Sequence, residues 1–227
     1  MIVNTRPSIL ANKTNELLAR SGIEFMHEPL TKILSISPSN QALEKLQQLD
    51  SYDVIIFTSQ TAAKFGAPYL QRHTSKNLNL LIMAIGLATQ RVLSAHGLVS
   101  EVPLGFNSAG LAGLIEQGKH EKCLIFCGGK QPQLSFHTPV TLDTFSCYTV
   151  IDEESIELSN ITGNQKAIFL IYNIQTLEVL VRYSQPTDLK KMNLIVASPR
   201  IQEAAFNHGI KGCVVAESPH DEEMTEA

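Results

Sequence analysis

Short apolar, β-branched runs recur along this chain, and most are followed by a segment whose apolar residues fall at helical spacing. Met1 to Thr5 reads as a strand. Ser8 can cap a helix to about Ala19, with Ile9, Leu10, Leu17 and Leu18 on its apolar stripe, and Gly22 ends it. Ile23 to His27 is a second strand. Tyr52 to Phe57 is a buried strand, followed by Thr58-Ser59 and a helix to about Leu70, where Pro68 predicts a kink or an early stop. The pattern continues with a strand at Leu80 to Ile85, a helix from about Ala88 to Ala95 and a helix from Ala109 to Glu116 capped by Ser108. Lys122 to Cys127 and Thr144 to Ile151 are strands. Then come Ala167 to Ile171 (strand), Ile174 to Arg182 (helix), Leu194 to Ala197 (strand), Arg200 to Asn207 (helix) and Lys211 to Val215 (strand).

Apolar strands alternating with amphipathic helices predict an α/β protein with parallel sheets covered on both faces. About nine or ten strands in 227 residues fit two smaller sheets better than one wide one. Glu28 to Asn40 breaks the alternation. With Pro29, Pro38 and a β-capable middle, it reads as an extended connector, and Phe145 to Asp152 is a second candidate connector.

Composition narrows the function classes. A net charge of −4 argues against a nucleic-acid partner, which asks for a basic surplus. The apolar runs are too short to span a bilayer, and the first residues lack a basic then apolar leader, so a cytoplasmic protein is expected. Cys123 and Cys127 share a strand face, but no further ligands stand at zinc-like spacing. The four cysteines therefore read as small buried hydrophobes in a reducing compartment, and no metal is expected. No sustained apolar surface stripe stands out, and a monomer is expected.

In open parallel sheets, ligands bind beyond the carboxyl ends of the strands. Here those ends carry Arg6-Pro7-Ser8, Thr58-Ser59, Gly86-Leu87-Ala88-Thr89, Cys127-Gly128-Gly129-Lys130, Tyr172-Asn173 and Ala197-Ser198-Pro199-Arg200. Each is a short turn into or towards a helix, where unpaired N–H groups and the helix dipole favour anions. Such turns could bind a polyanion with few Lys or Arg, although a Ser or Thr there serves first as a helix cap. No Gly-x-Gly-x-x-Gly follows the first strand and no phosphate-loop motif occurs, which disfavours dinucleotides and ATP. No Gly-x-Ser-x-Gly elbow is present, so no hydrolase nucleophile is indicated.

Several segments together resemble the uroporphyrinogen-III synthase family. They are Asn4-Thr5-Arg6-Pro7, Pro29-Leu30, Tyr52 to Ser59, Ala84 to Thr89, Ser108-Ala109-Gly110-Leu111, Tyr148 and Ala216-Glu217-Ser218-Pro219, spread over essentially the whole chain. The resemblance implies two flavodoxin-like domains, residues 1–33 plus 149–227 and residues 38–144, joined by a two-stranded connector at 34–37 and 145–148, with the active site in the cleft between them. It implies a cofactor-free enzyme acting on hydroxymethylbilane. Water is lost, the last pyrrole attacks through its substituted carbon, and a spiro intermediate recloses as uroporphyrinogen III. Because the chain of pyrroles closes unaided to the uninverted isomer, catalysis on this view is mostly control of conformation.

The resemblance also assigns roles. Tyr148 becomes the candidate proton donor, and Thr89 and Ser59 match positions where the family places a hydroxyl in the cleft. Thr58, Gly86, Ala88, Gly128, Gly129, Asn173 and Ser198, on the anion-friendly turns above, are expected to line the substrate site with them. Arg6, Lys130 and Arg200 are the expected carboxylate contacts. A passing contact with the enzyme that supplies the substrate is a further expectation. Two departures stand out: Tyr172-Asn173 replaces the family's usual hydroxyl-bearing turn, and Cys127 stands where an Arg often precedes the glycine. They motivate the alternative of a non-catalytic two-lobed protein that binds a tetrapyrrole or a small anion.

Overall fold

A computed structural model of the chain describes residues 1–73, 80–105, 108–129, 134–154, 156, 158 and 167–227. The chain divides into two compact units, one of Met1–Ile33 with Ile151–Ala227 and one of Leu34–Val150.

The first unit holds β1 (Ile2–Asn4), α1 (Ser8–Arg20) and β2 (Phe25–His27). After the second unit it resumes with β8 (Ile168–Ile171), α6 (Ile174–Arg182), the short α7 (Pro186–Leu189), β9 (Asn193–Val196), α8 (Pro199–Asn207), β10 (Gly212–Val215) and α9 (Asp221–Glu226). Its strands form one parallel sheet in the order β10-β9-β8-β1-β2. Counted within this unit, that is the doubly wound order 2-1-3-4-5, whose switch point lies between β1 and β8. Val3, Phe169, Leu170, Leu194 and Val196 are buried in the sheet, with Leu18, Leu177, Leu180 and Ile201 packed from the helices and Met224 from α9.

The second unit holds α2 (Asn40–Gln47), a single 3₁₀ turn (Leu49–Ser51), β4 (Val54–Phe57), α3 (Gln60–His73), β5 (Leu81–Ala84), α4 (Leu87–Ala95), α5 (Ser108–Gln117) and β6 (Lys122–Gly128). Its sheet is completed by β3 (Thr31–Ser35) and β7 (Thr141–Asp152), in the order β3-β7-β6-β4-β5. Strands β5, β4, β6 and β7 run parallel. Strand β3 lies antiparallel to β7: Ile36 N–H donates to Cys147 O (3.3 Å) and Glu153 N–H to Leu30 O (3.1 Å). The chain passes between the units along these two strands. The switch point here lies between β4 and β6.

All of β4 is buried because both faces of the sheet are covered. Val54 and Ile56 face Cys123, Ile125 and Cys127, while Ile55 and Phe57 face Leu124, Phe126, Phe145 and Cys147. Phe57 stacks on Phe126 with ring centroids 4.6 Å apart, and Phe145 follows at 4.8 Å.

Three sequence expectations are corrected. Helix α3 runs through Pro68 to His73 rather than stopping near Leu70. Burying Ala62, Ala63, Gly66, Ala67 and Leu70 against the sheet outweighs the ring's cost of about 3 kcal/mol. The extended reading of residues 28–40 holds for β3, but an unforeseen helix, α2, follows directly. Ser39 caps it by accepting from Ala42 N–H at 3.2 Å. Strand β7 begins at Thr141, three residues earlier than expected, because Thr141 to Asp143 pair along β6 from Lys122 onward.

Candidate functional site

Each switch point is closed in the same way, by a threonine just past the central strand. Thr5 Oγ donates to Leu170 O at 2.5 Å, and Thr58 Oγ donates to Phe126 O at 3.3 Å. Each bond ties the end of one central strand to its neighbour. The loop that follows is thereby held where a ligand would meet helix N–H groups.

In the second unit, Ser59 caps α3: its Oγ accepts from Ala62 N–H at 3.0 Å. Across the switch point, β6 and β7 pair with a register shift. Cys127 faces Ser146, but Gly128 faces Tyr148, so Cys147 is the extra residue of a bulge. Cys147 is fully buried, and its thiol contacts Ala62 O and Cys127 O. The bulge lays the Tyr148 ring against Gly128. A Cβ on Gly128 would come within 2.8 Å of Tyr148 Cζ, so glycine is required there for close approach. Tyr148 Oη stands 3.4 Å from Ser59 Oγ, and Phe65, on α3, flanks the ring with centroids 6.2 Å apart. Burial pushes the Tyr148 phenol above its ordinary pKa, and the bond to Ser59 pulls the other way.

Gly86 is the N-cap of α4 and has no side chain to satisfy the N–H groups of the first turn. Ala88 lies in that turn, and Leu87 beside it is an unforeseen exposed apolar side chain. Thr89, on the first turn of α4, is only 3% exposed. Gly129 is exposed just past β6, and Lys130 lies outside the described residues.

In the first unit, Asn4 Oδ1 accepts from Arg6 N–H at 3.1 Å, while its amide donates to Asn15. Arg6 Nη1 is paired with Asp221, and its guanidinium lies 4.0 Å over the Tyr172 ring. Asp221 also accepts from Thr14 Oγ (2.7 Å) and Tyr172 Oη (3.3 Å). Burial pushes the Tyr172 phenol up to about 12, against the opposing effects of Thr14 and Arg6. Arg6 therefore holds a carboxylate of its own chain. Asn173 caps α6 by accepting from Thr176 N–H at 2.9 Å. Ser198 is the N-cap of α8 but makes no capping bond, and Arg200 is exposed on the first turn of that helix.

The structure thus brings Ser59, Gly128 and Tyr148 together at one switch point, and Arg6 and Tyr172 at the other. Asp221, Thr14 and Phe65 complete these clusters and carry no sequence signal of their own. Among the described residues, no group of three or more His, Cys, Asp or Glu is placed to hold a metal ion, and no helix is long and apolar enough to cross a membrane.

The family model described as "Uroporphyrinogen-III synthase HemD" matches residues 12–226. No curated protein sequence matches significantly. Among solved structures, a mutant uroporphyrinogen III synthase from Thermus thermophilus aligns with a TM-score of 0.63 at 14% identity, covering 99% of this chain and 95% of that one. The uroporphyrinogen-III synthetase of Helicobacter pylori aligns with a TM-score of 0.63 at 13% identity, covering 99% and 96%. At such identities the likeness to these two structures is one of fold.

Proposed function

The chain belongs to the uroporphyrinogen-III synthase family, and from that premise we propose how its own residues carry the reaction. The enzyme cyclises hydroxymethylbilane with loss of water and inversion of the last ring, a step of haem-type pigment synthesis. Tyr148 is the proton donor to the departing hydroxyl. The observation that carries this assignment is the placement of its phenol at the second unit's switch point, laid over Gly128 and beside the start of α3.

A raised pKa keeps that phenol protonated through the neutral range. Proton donation should therefore persist as pH rises and fail only when the phenol itself ionises. The substrate's acetates and propionates are held mainly by N–H groups at helix starts. These lie beside Thr58, Ser59, Gly86 and Ala88 and at Asn173 and Ser198, with the backbone of Gly128 and Gly129 at the end of β6 and Arg200 as an exposed cation. Leu87 offers an apolar contact to a pyrrole face. A substrate carboxylate that reaches Arg6 must compete with Asp221.

Such a grip suits a reaction whose difficulty is choosing which carbon attacks. The reaction belongs in the cytoplasm, where the free cysteines stay reduced. The chain acts as a monomer, with a passing contact to the enzyme that makes hydroxymethylbilane, because that compound closes unaided.

The test is Tyr148→Phe, assayed by resolving the isomers formed from hydroxymethylbilane. The rate of isomer III formation should fall by about 10²-fold or more at similar KM, the usual share of a general acid. Full activity of the Phe variant would remove Tyr148 from the chemistry.

A further inference from the structure

Ser59 has two partners at once. Its oxygen accepts from Ala62 N–H at 3.0 Å, and Tyr148 Oη lies 3.4 Å away. A serine hydroxyl owns a single proton. Either oxygen can donate in this contact, and the cap leaves the Ser59 proton available to the phenol oxygen. When Ser59 donates, the phenol proton is left to point elsewhere. The distance is long for a settled O–H···O bond, as is usual for catalytic contacts before ligand binds.

Both ends of this contact are fixed from below. Thr58 ties the loop to Phe126 O, and Ala63 N–H donates to Ser59 O at 3.0 Å as α3 begins. On the other side, Gly128 and the bulge at Cys147 set the height of the Tyr148 ring.

We propose that Ser59 is a positioning residue that donates its hydroxyl proton to the Tyr148 oxygen, aiming the phenol proton at the substrate and stabilising the phenolate formed when that proton leaves. This rests on the synthase reading and on Tyr148 as donor. As the substrate's C–O bond breaks, its electron pair leaves with the oxygen, which takes the Tyr148 proton and departs as water. The azafulvenium cation left behind then releases its pyrrole N–H proton to the phenolate, which restores Tyr148. Negative charge sits on Tyr148 Oη only between these two transfers, so the Ser59 bond strengthens when it is needed.

The test follows the Tyr148 phenol directly, by NMR titration of protein carrying ¹³C-labelled tyrosine, with Tyr148→Phe assigning the resonance. In Ser59→Ala the Tyr148 titration should move to higher pH. Ser59→Thr, which keeps hydroxyl and cap, should return it. Ser59→Asp, which keeps the cap but presents a charge and no donor, should move it further still. In the isomer assay, Ser59→Ala should lower kcat about ten- to a hundredfold with little change in KM, and should cost nothing further in a Tyr148→Phe background. A Tyr148 titration indifferent to Ser59→Ala and Ser59→Asp, or an undiminished Ser59→Ala effect without the phenol, would overturn the proposal. Failure of the Tyr148 assignment is distinguishable from this: Tyr148→Phe would be fully active whatever the titration shows.

Discussion

At the scale of single residues, the first unit turns on Asp221. One carboxylate pairs with Arg6 and accepts from Thr14 and Tyr172, and the side chains of the ion pair are only 18% and 13% exposed. Removing one partner of such a pair costs more than the pair contributes, because the remaining charge is left partly desolvated. Asp221→Ala should therefore destabilise the protein by about 2–4 kcal/mol, and Asp221→Asn, which retains an oxygen acceptor, by less. Urea unfolding would measure both, and an unchanged midpoint for Asp221→Ala would contradict the arrangement. None of this is visible in the sequence. Asp221 sits 215 positions from Arg6, in a tail whose run of acidic residues reads as solvated surface. Tyr148 was legible only through the family resemblance, since Ser59 and Gly128 reach it across the fold.

At the scale of elements, α3 shows what the second unit demands. Gly66 lets the helix settle onto the stacked Phe57 and Phe126 rings, and a Cβ there would come within 2.5 Å of Phe126. Helix propensity alone favours alanine at this position by about 1 kcal/mol. Overpacking a closed core costs about 1–3 kcal/mol, so Gly66→Ala should be destabilising on balance, with a lowered thermal midpoint. A raised midpoint would show that the rings yield easily.

Elements buried on both faces were the legible ones: Val54 to Phe57 and Leu124 to Phe126 announce themselves as unbroken apolar runs. Helix α2 was not legible, because its core-facing set amounts to Ala42, Leu43 and Leu46 after a proline-flanked extended segment. Helix α9 is anchored by Met224 alone among its residues in the core, too little for a periodic signal.

At the scale of the molecule, two doubly wound sheets each place a threonine-locked switch point at the carboxyl ends of their central strands. The alternation of strands and helices carried the fold class, because parallel sheets need a helix between strands. It could not carry the chemistry. On the reading proposed above, cap serines, glycines and backbone N–H groups stand where other enzymes use charged motifs, and such residues look the same whether they hold a ligand or merely end a helix.

The central claim is that this chain directs ring closure. Hydroxymethylbilane would be generated in situ, the protein added over a range of concentrations, and the oxidised products separated by isomer. The account predicts isomer III rising with protein at the expense of the spontaneous isomer I. Isomer I alone at every concentration of folded protein would contradict it.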